Sequence, residues 1–391
     1  MPMMTPLQRA RMRSLVVACR QRGLSLIEMM VGLSIGLFLT LGLFTLISNT
    51  SQSFKVQDDF ARMQDNAAAA FRYIGSSLRL AGFYGYTDSP NTIDTVLGGV
   101  TTTTDCGSAT NLPTSNWALS VAVPISGFSS LTPITANATL PCIAIANFLS
   151  VPTVGQQILV ARGAVGVRIP DPNADGNLSD GLAAQTDFAT TIYVQSNAAG
   201  GVLFYGNNFA TMRAANPPQT LRLSTGVDVD IFEYQTHVYY LRPCSRIATG
   251  VACSATADDN KPIPTLVRQE LRGSAMTEVA LAEGIERMSF LYGIDTLPAG
   301  ALDGVADTFT ANPSTADWAN VVTVRVTLLA RSATPSAQID DSNKTYDLNG
   351  DNVADFRCQD MLATEPYSCQ FRRKVFTQLF QLRNIAQRRG M

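Results

Sequence analysis

Between Leu24 and Ile47 the chain carries one charge, Glu28, in an otherwise apolar run of 24 residues. At a rise of ~1.5 Å per residue, a helix of that length crosses a hydrocarbon core of ~30 Å. Beyond Ile47 the pattern changes but does not stop. Val56, Phe60, Met63, Ala67, Ala70, Ile74 and Leu78 recur at spacings of three and four, while Lys55, Asp58, Arg62, Asp65 and Arg72 take the other faces. The two patterns predict one helix over residues 24–82, with a membrane half over 24–47 and an amphipathic half after it.

From 83 to about 153 the chain is poor in charge and rich in Thr, Ser, Pro and Asn, and reads as loops and short strands. Strand candidates follow at 157–161, 191–195, 202–205, 229–233, 237–241, 265–271, 285–293, 320–331 and 375–382. The clearest is 320–331, where Val322, Val324, Val326 and Leu328 alternate with Thr323, Arg325 and Thr327. Such a strand is half-buried in an antiparallel sheet, one face on a core and one toward solvent. The expected class is α+β: a long N-terminal helix packed on an antiparallel β-sheet head (83–391) with long loops.

Charge adds orientation. Residues 1–23 contain Arg9, Arg11, Arg13, Arg20 and Arg22 and no acid, so the net charge of −2 becomes −7 without them. A basic stretch ahead of an apolar helix stays in the cytoplasm and the remainder is exported. Gly32 and Gly36 form a G-x-x-x-G, which lets helices approach closely in lipid. With Cys19 in the basic stretch ahead of the apolar run, six cysteines lie beyond it, an even number that suggests disulfides in an exported chain. Six allow 15 connectivities. Cys244 with Cys253 and Cys358 with Cys369 are near enough for local loops, which leaves Cys106 with Cys142.

Chemistry is sparse. His237 is the one histidine and lies in a strand segment, where it reads as structural. No nucleophile elbow, phosphate loop or zinc-protease motif occurs, so the chain reads as a non-enzyme. Asp347, Asn349, Asp351 and Asp355 place oxygens at relative positions 1, 3, 5 and 9, with the Val353 carbonyl at 7, a spacing that suits Ca²⁺. A weaker echo runs through Asp171, Asn173, Asp175 and Asp180. The last 21 residues hold Arg372, Arg373, Lys374, Arg383, Arg388 and Arg389 and no acid. A charged strand edge explains these cations, and nucleic acid is not expected as a partner.

Arg22-Gly23-Leu24-Ser25-Leu26-Ile27-Glu28 resembles the class III leader of type IV pilins and of the pseudopilins of type II secretion. The resemblance implies that a prepilin peptidase cuts after Gly23 and methylates Leu24. Glu28 then becomes the fifth residue, and its carboxylate can neutralise the amino terminus of a neighbour in a helical bundle. Ala81-Gly82-Phe83-Tyr84-Gly85, Glu283-Gly284-Ile285-Glu286, Leu291-Tyr292-Gly293-Ile294-Asp295-Thr296, the strand from Val324 to Ser332 and Leu382-Arg383-Asn384 resemble PilW-type minor pilins. That family implies a subunit of a tip priming complex that promotes pilus assembly with other minor pilins and the major pilin. It also implies a single pass of the inner membrane, with the head in the periplasm and later at the pilus tip. A tip-exposed adhesin and a secretion pseudopilin are the alternatives; pseudopilins with similar strand cues are usually much shorter.

Overall fold

A computed structural model describes residues 25–102, 106, 116–130, 140, 142–143, 148–149, 156–247, 253, 257–296, 303–362, 365 and 367–389. The chain divides into two compact units, Met1–Gln57 and Asp58–Met391, and the helix α1 (Leu26–Leu80) contributes to both.

In the first unit α1 is apolar and exposed, and by length and composition it suffices to cross a membrane. Its hydroxyls are satisfied inside the helix: Ser34 donates to Val31 O at 2.9 Å, Thr40 to Gly36 O at 3.0 Å and Thr45 to Gly42 O at 2.8 Å. Such back-bonding suits a side chain that has no water to turn to.

The second unit contains two sheets. The larger has the order β1 (Ile93–Gly98), β5 (Gly200–Tyr205), β4 (Ile192–Asn197), β6 (Ile231–Arg242), β3 (Gln156–Arg168), β2 (Ile125–Ser130), and β7 (Thr265–Arg272) joins β6 to β8 (Ala275–Glu283). The smaller is β10 (Thr308–Thr310), β9 (Ile285–Ile294), β11 (Val321–Arg331), β12 (Arg373–Gln381). The α+β class is as expected, with two corrections of detail. β1 pairs β5 in parallel, so the head is mixed and not purely antiparallel. The strands expected at 229–233 and 237–241 are one strand, β6. Its first part pairs β4 and its last part pairs β7, so the polar Gln235-Thr236 marks a change of neighbour and not a turn.

From Asp58 onward α1 turns its apolar stripe inward. Met63, Ala70, Ile74 and Leu78 share one core with Leu159, Tyr239 and Leu241 of the larger sheet and with Met288, Phe290, Val324, Val326 and Leu328 of the smaller. Two glycines set how closely the elements approach. A Cβ at Gly75 would lie 2.3 Å from the Phe380 ring, and one at Gly163 would lie 2.1 Å from Leu80 O. The helix ends where Ala81 bridges Gly163, Gly82 N donates to Arg162 O at 2.9 Å and Ala164 N to Phe83 O at 2.7 Å. Gly82 takes φ +76°, a left-handed turn that suits glycine. The helix end is thereby built into the edge of β3.

Because the clash at 163 is with a backbone atom, no rotamer change relieves it. Gly163→Ala should cost about 1–3 kcal/mol, read as a lower thermal midpoint of the purified chain; an unchanged midpoint would mean the join is pliable.

Candidate functional site

Glu28 opens α1. Its Oε2 accepts from Ser25 N at 2.9 Å, and its own N–H donates to Ser25 Oγ at 3.2 Å. This reciprocal pair caps the helix, and the carboxylate sits where the helix dipole favours an anion. No further charge follows until Lys55. Among the described residues a Cβ at Gly32 or Gly36 would meet nothing within 4 Å. Gly23 and Leu24 lie outside the described residues.

The structure pairs Cys106 with Cys142, Cys244 with Cys253 and Cys358 with Cys369. The last pair staples the connection 332–372 between β11 and β12, which is also zipped by Ser332 N to Arg372 O, Ser336 N to Gln370 O and Asp341 N to Cys369 O, each 2.9 Å.

That connection covers a buried ion cluster that sequence reasoning missed. Arg373 donates through Nε to Glu286 Oε2 at 2.6 Å and through Nη2 to Oε1 at 2.9 Å, and through Nη1 to Asp341 Oδ2 at 3.0 Å. Arg331 bridges Glu286 at 3.3 Å and Glu365 at 2.6 Å. Arg287 donates to Glu286 O at 3.0 Å and lies 4.6 Å from the Phe356 ring centroid. All three arginines, Glu286 and Asp341 are buried. Burial opposes the Glu286 charge, yet Arg373, then Arg331 and Arg287, hold its pKa down to about 2. Burial lowers Arg287 to about 10. In the sequence these three arginines and Glu286 stand at the ends of three apolar strands, a placement that solvated charges share, so their burial was not legible there.

His237 is buried beside α1. Nδ1 lies 2.7 Å from Ser77 Oγ, which lies 2.7 Å from Tyr239 OH, and Tyr239 donates to Tyr73 O at 2.9 Å. The assignment that supplies every contact with a proton runs from His237 Nδ1–H to Ser77, from Ser77 to Tyr239 and from Tyr239 to the helix carbonyl. The serine proton therefore points away from the imidazole. Burial, with the Arg268 charge second, pushes His237 down to about 3, too weak a base for the work of a nucleophile's partner at neutral pH. The contact ties α1 to β6.

In the Asp/Asn loop, Asp347 accepts from the N–H groups of Asn349 at 3.1 Å, Gly350 and Asn352 at 2.8 Å, and Asp355 from Leu348 at 2.7 Å and Asn349 at 3.1 Å. Asn349 Nδ2 reaches Asp351 at 3.1 Å. These bonds, that of Gly350 first, hold the Asp347 carboxyl below its ordinary value. Among the described residues no group of three or more His, Cys, Asp or Glu is placed to hold a metal ion. The loop is explained by its own amides, and the calcium reading rests on spacing. At the second loop Asp171 takes Gly176 N at 2.9 Å and Asp180 takes the Asn173 amide.

The basic C-terminus divides between roles. Arg373 is in the ion cluster, Arg372 lies 3.4 Å from Asp59, and Arg388 donates to Gly82 O at 3.0 Å.

Residues 247–384 match the type IV pilus-assembly protein W family, PilW, and residues 19–44 match the prokaryotic N-terminal methylation motif. Both matches support a PilW-type pilin. No curated protein and no solved structure matches the chain. The PilW match contains the whole Glu286 cluster, and the methylation match contains Gly23, Leu24, Glu28, Gly32 and Gly36. The first describes an assembly protein of the type IV pilus and the second the processing motif that precedes an apolar helix. A prepilin leader followed by an apolar helix suggests membrane anchoring and pilus association.

Glu286→Gln strips the charge from the centre of the cluster and leaves Arg373 undercompensated, at a cost of about 3–5 kcal/mol. Chemical denaturation of the purified chain should show this loss, while a variant within 1 kcal/mol of wild type would mean the cluster relaxes. His237 gives a pH signature. Its folded pKa of about 3 lies below the ordinary imidazole value of 6.5, so its neutral form favours folding above pH 6.5 and that advantage is lost as pH falls toward 3. His237→Gln should flatten that part of the stability profile; a parallel profile would show that the imidazole is not the titrating group.

Proposed function

We propose that the chain is a minor pilin that acts in a priming complex at the tip of a type IV pilus, with other minor pilins and the major pilin as neighbours. In this reading prepilin peptidase removes residues 1–23 and methylates Leu24, and the head is carried in the periplasm until assembly. The observation that carries it is the methylation motif over 19–44 leading into an apolar helix whose sole early charge is Glu28. Among the described residues the one partner of this carboxylate is Ser25, so within its own chain the cap is its only evident use. A neighbouring subunit's ammonium supplies the missing reason. The PilW match favours pilus assembly over a secretion pseudopilin, and an assembly subunit over an adhesin borne on a pilin helix.

Glu28→Ala is expected to be cleaved and folded but poorly incorporated. Mass spectrometry of membrane-extracted protein should show N-methyl-Leu24 in both wild type and variant, and electron microscopy should show fewer surface pili in the variant strain. Normal piliation with the variant would remove the pairing role. Normal piliation in a deletion strain that has lost attachment would favour the adhesin.

A further inference from the structure

β12 is an outer strand of the smaller sheet: β11 lies on one side, and among the described residues no strand lies on the other. An edge exposes unpaired N–H and C=O groups, and proteins ordinarily blunt it with proline, a bulge, a charge or brevity. Residues 375–381, Val-Phe-Thr-Gln-Leu-Phe-Gln, have no charge, proline or glycine. Their register with β11 is unbroken, from Thr323 opposite Gln381 to Arg331 opposite Arg373. Thr377, Gln378, Leu379 and Gln381 are exposed. The opposite edge, β10, has only three residues, so among the described residues β12 is the longer edge of this sheet without a strand beside it.

Charge narrows what fits there. Exposed cations flank the open stretch, Lys374 before it and Arg383 after it, and no Asp or Glu occurs from 371 onward. The acid beside this edge, Asp59, is engaged by Arg372. A second copy of β12 added antiparallel would bring the Lys374 end of one against the Arg383 end of the other, cation on cation at both ends. A segment with carboxylates at its ends meets the same two cations favourably.

We infer that β12 accepts an extended segment of another protein, carrying an acidic residue near each end, as an added strand. Main-chain hydrogen bonds supply the affinity and the end charges supply the choice. The inference stands apart from the pilus reading, since it uses neither the leader nor Glu28.

The test uses the purified full chain in detergent micelles and two labelled nine-residue peptides of alternating Val and Thr, one ended by Glu and one by Lys. Fluorescence anisotropy should show the Glu-ended peptide binding at least tenfold tighter, and amide exchange should slow over 375–381 when it is bound. Lys374→Glu, at an exposed site, should reverse the preference, and Arg383→Gln should reduce it. Equal binding of the two peptides, no binding, binding without protection of 375–381, or a concentration-dependent dimer protected along β12 would each overturn the inference.

Discussion

The second unit is organised around the Glu286–Arg373 pair. Both residues are fully buried, and ions taken out of water cost several kcal/mol each unless the partner is close and every remaining lone pair is met. Here the guanidinium meets the carboxylate at two points, and its remaining nitrogen reaches Asp341. Asp341 in turn accepts from Tyr346 OH at 2.9 Å on both oxygens. Two guanidiniums, Arg331 and Arg373, pair with the carboxylates of Glu286, Asp341 and Glu365, and Lys344 adds a third cation at Asp341. The geometry has a structural consequence. Glu286 comes from the start of β9, Arg331 from the end of β11, Arg373 from the start of β12, and Asp341 from the long connection between the last two. Satisfying one carboxylate therefore fixes one end of three strands and the fold of a segment that has no sheet of its own.

At the other end of the same sheet the constraint is steric. α1 lies on β12 through Gly75, with the Phe71 and Phe380 rings 6.3 Å apart, and its last turn meets β3 through Gly163. Side chains of the helix and of both sheets then meet in a single core. The helix is consequently a shared wall, and its polar contact through Ser77, His237 and Tyr239 orients it where apolar packing alone would permit sliding.

What could be read from the chain follows from how local each cause is. The helix was legible because its period of 3.6 persists for many turns, and β11 because Val322 to Leu328 alternate without interruption. β6 was divided in two because a strand's neighbours are not encoded in its own residues. The parallel β1 was hidden for the same reason: Ile93 meets Gly201 across more than a hundred residues. Glu28 stood out as a charge in a place that forbids one. Glu286 did not, since a charge at a strand end is ordinary until burial is known. The C-terminal cations looked like one patch in sequence, yet Arg373 points into the interior while Lys374 beside it is exposed, as the alternation of a strand requires.

Two of the stretches that carried the PilW resemblance, 81–85 and 382–384, are far apart in the chain and close in space. α1 ends with carbonyls that have no further turn of helix to bond. Asn384 Nδ2 donates to Arg79 O at 2.9 Å and to Ala81 O at 3.3 Å, and Arg388 donates to Gly82 O. These donors come from the C-terminal helix Arg383–Arg389, positioned by Leu382, whose side chain is buried and whose N–H donates to Val322 O at 2.8 Å. Arg388 also brings positive charge to the negative end of the α1 dipole. The chain's last helix is thus the cap of its first. An amide at 384 and a cation at 388 follow from that geometry, whereas an acid at either position would set a negative charge against unbonded carbonyl oxygens.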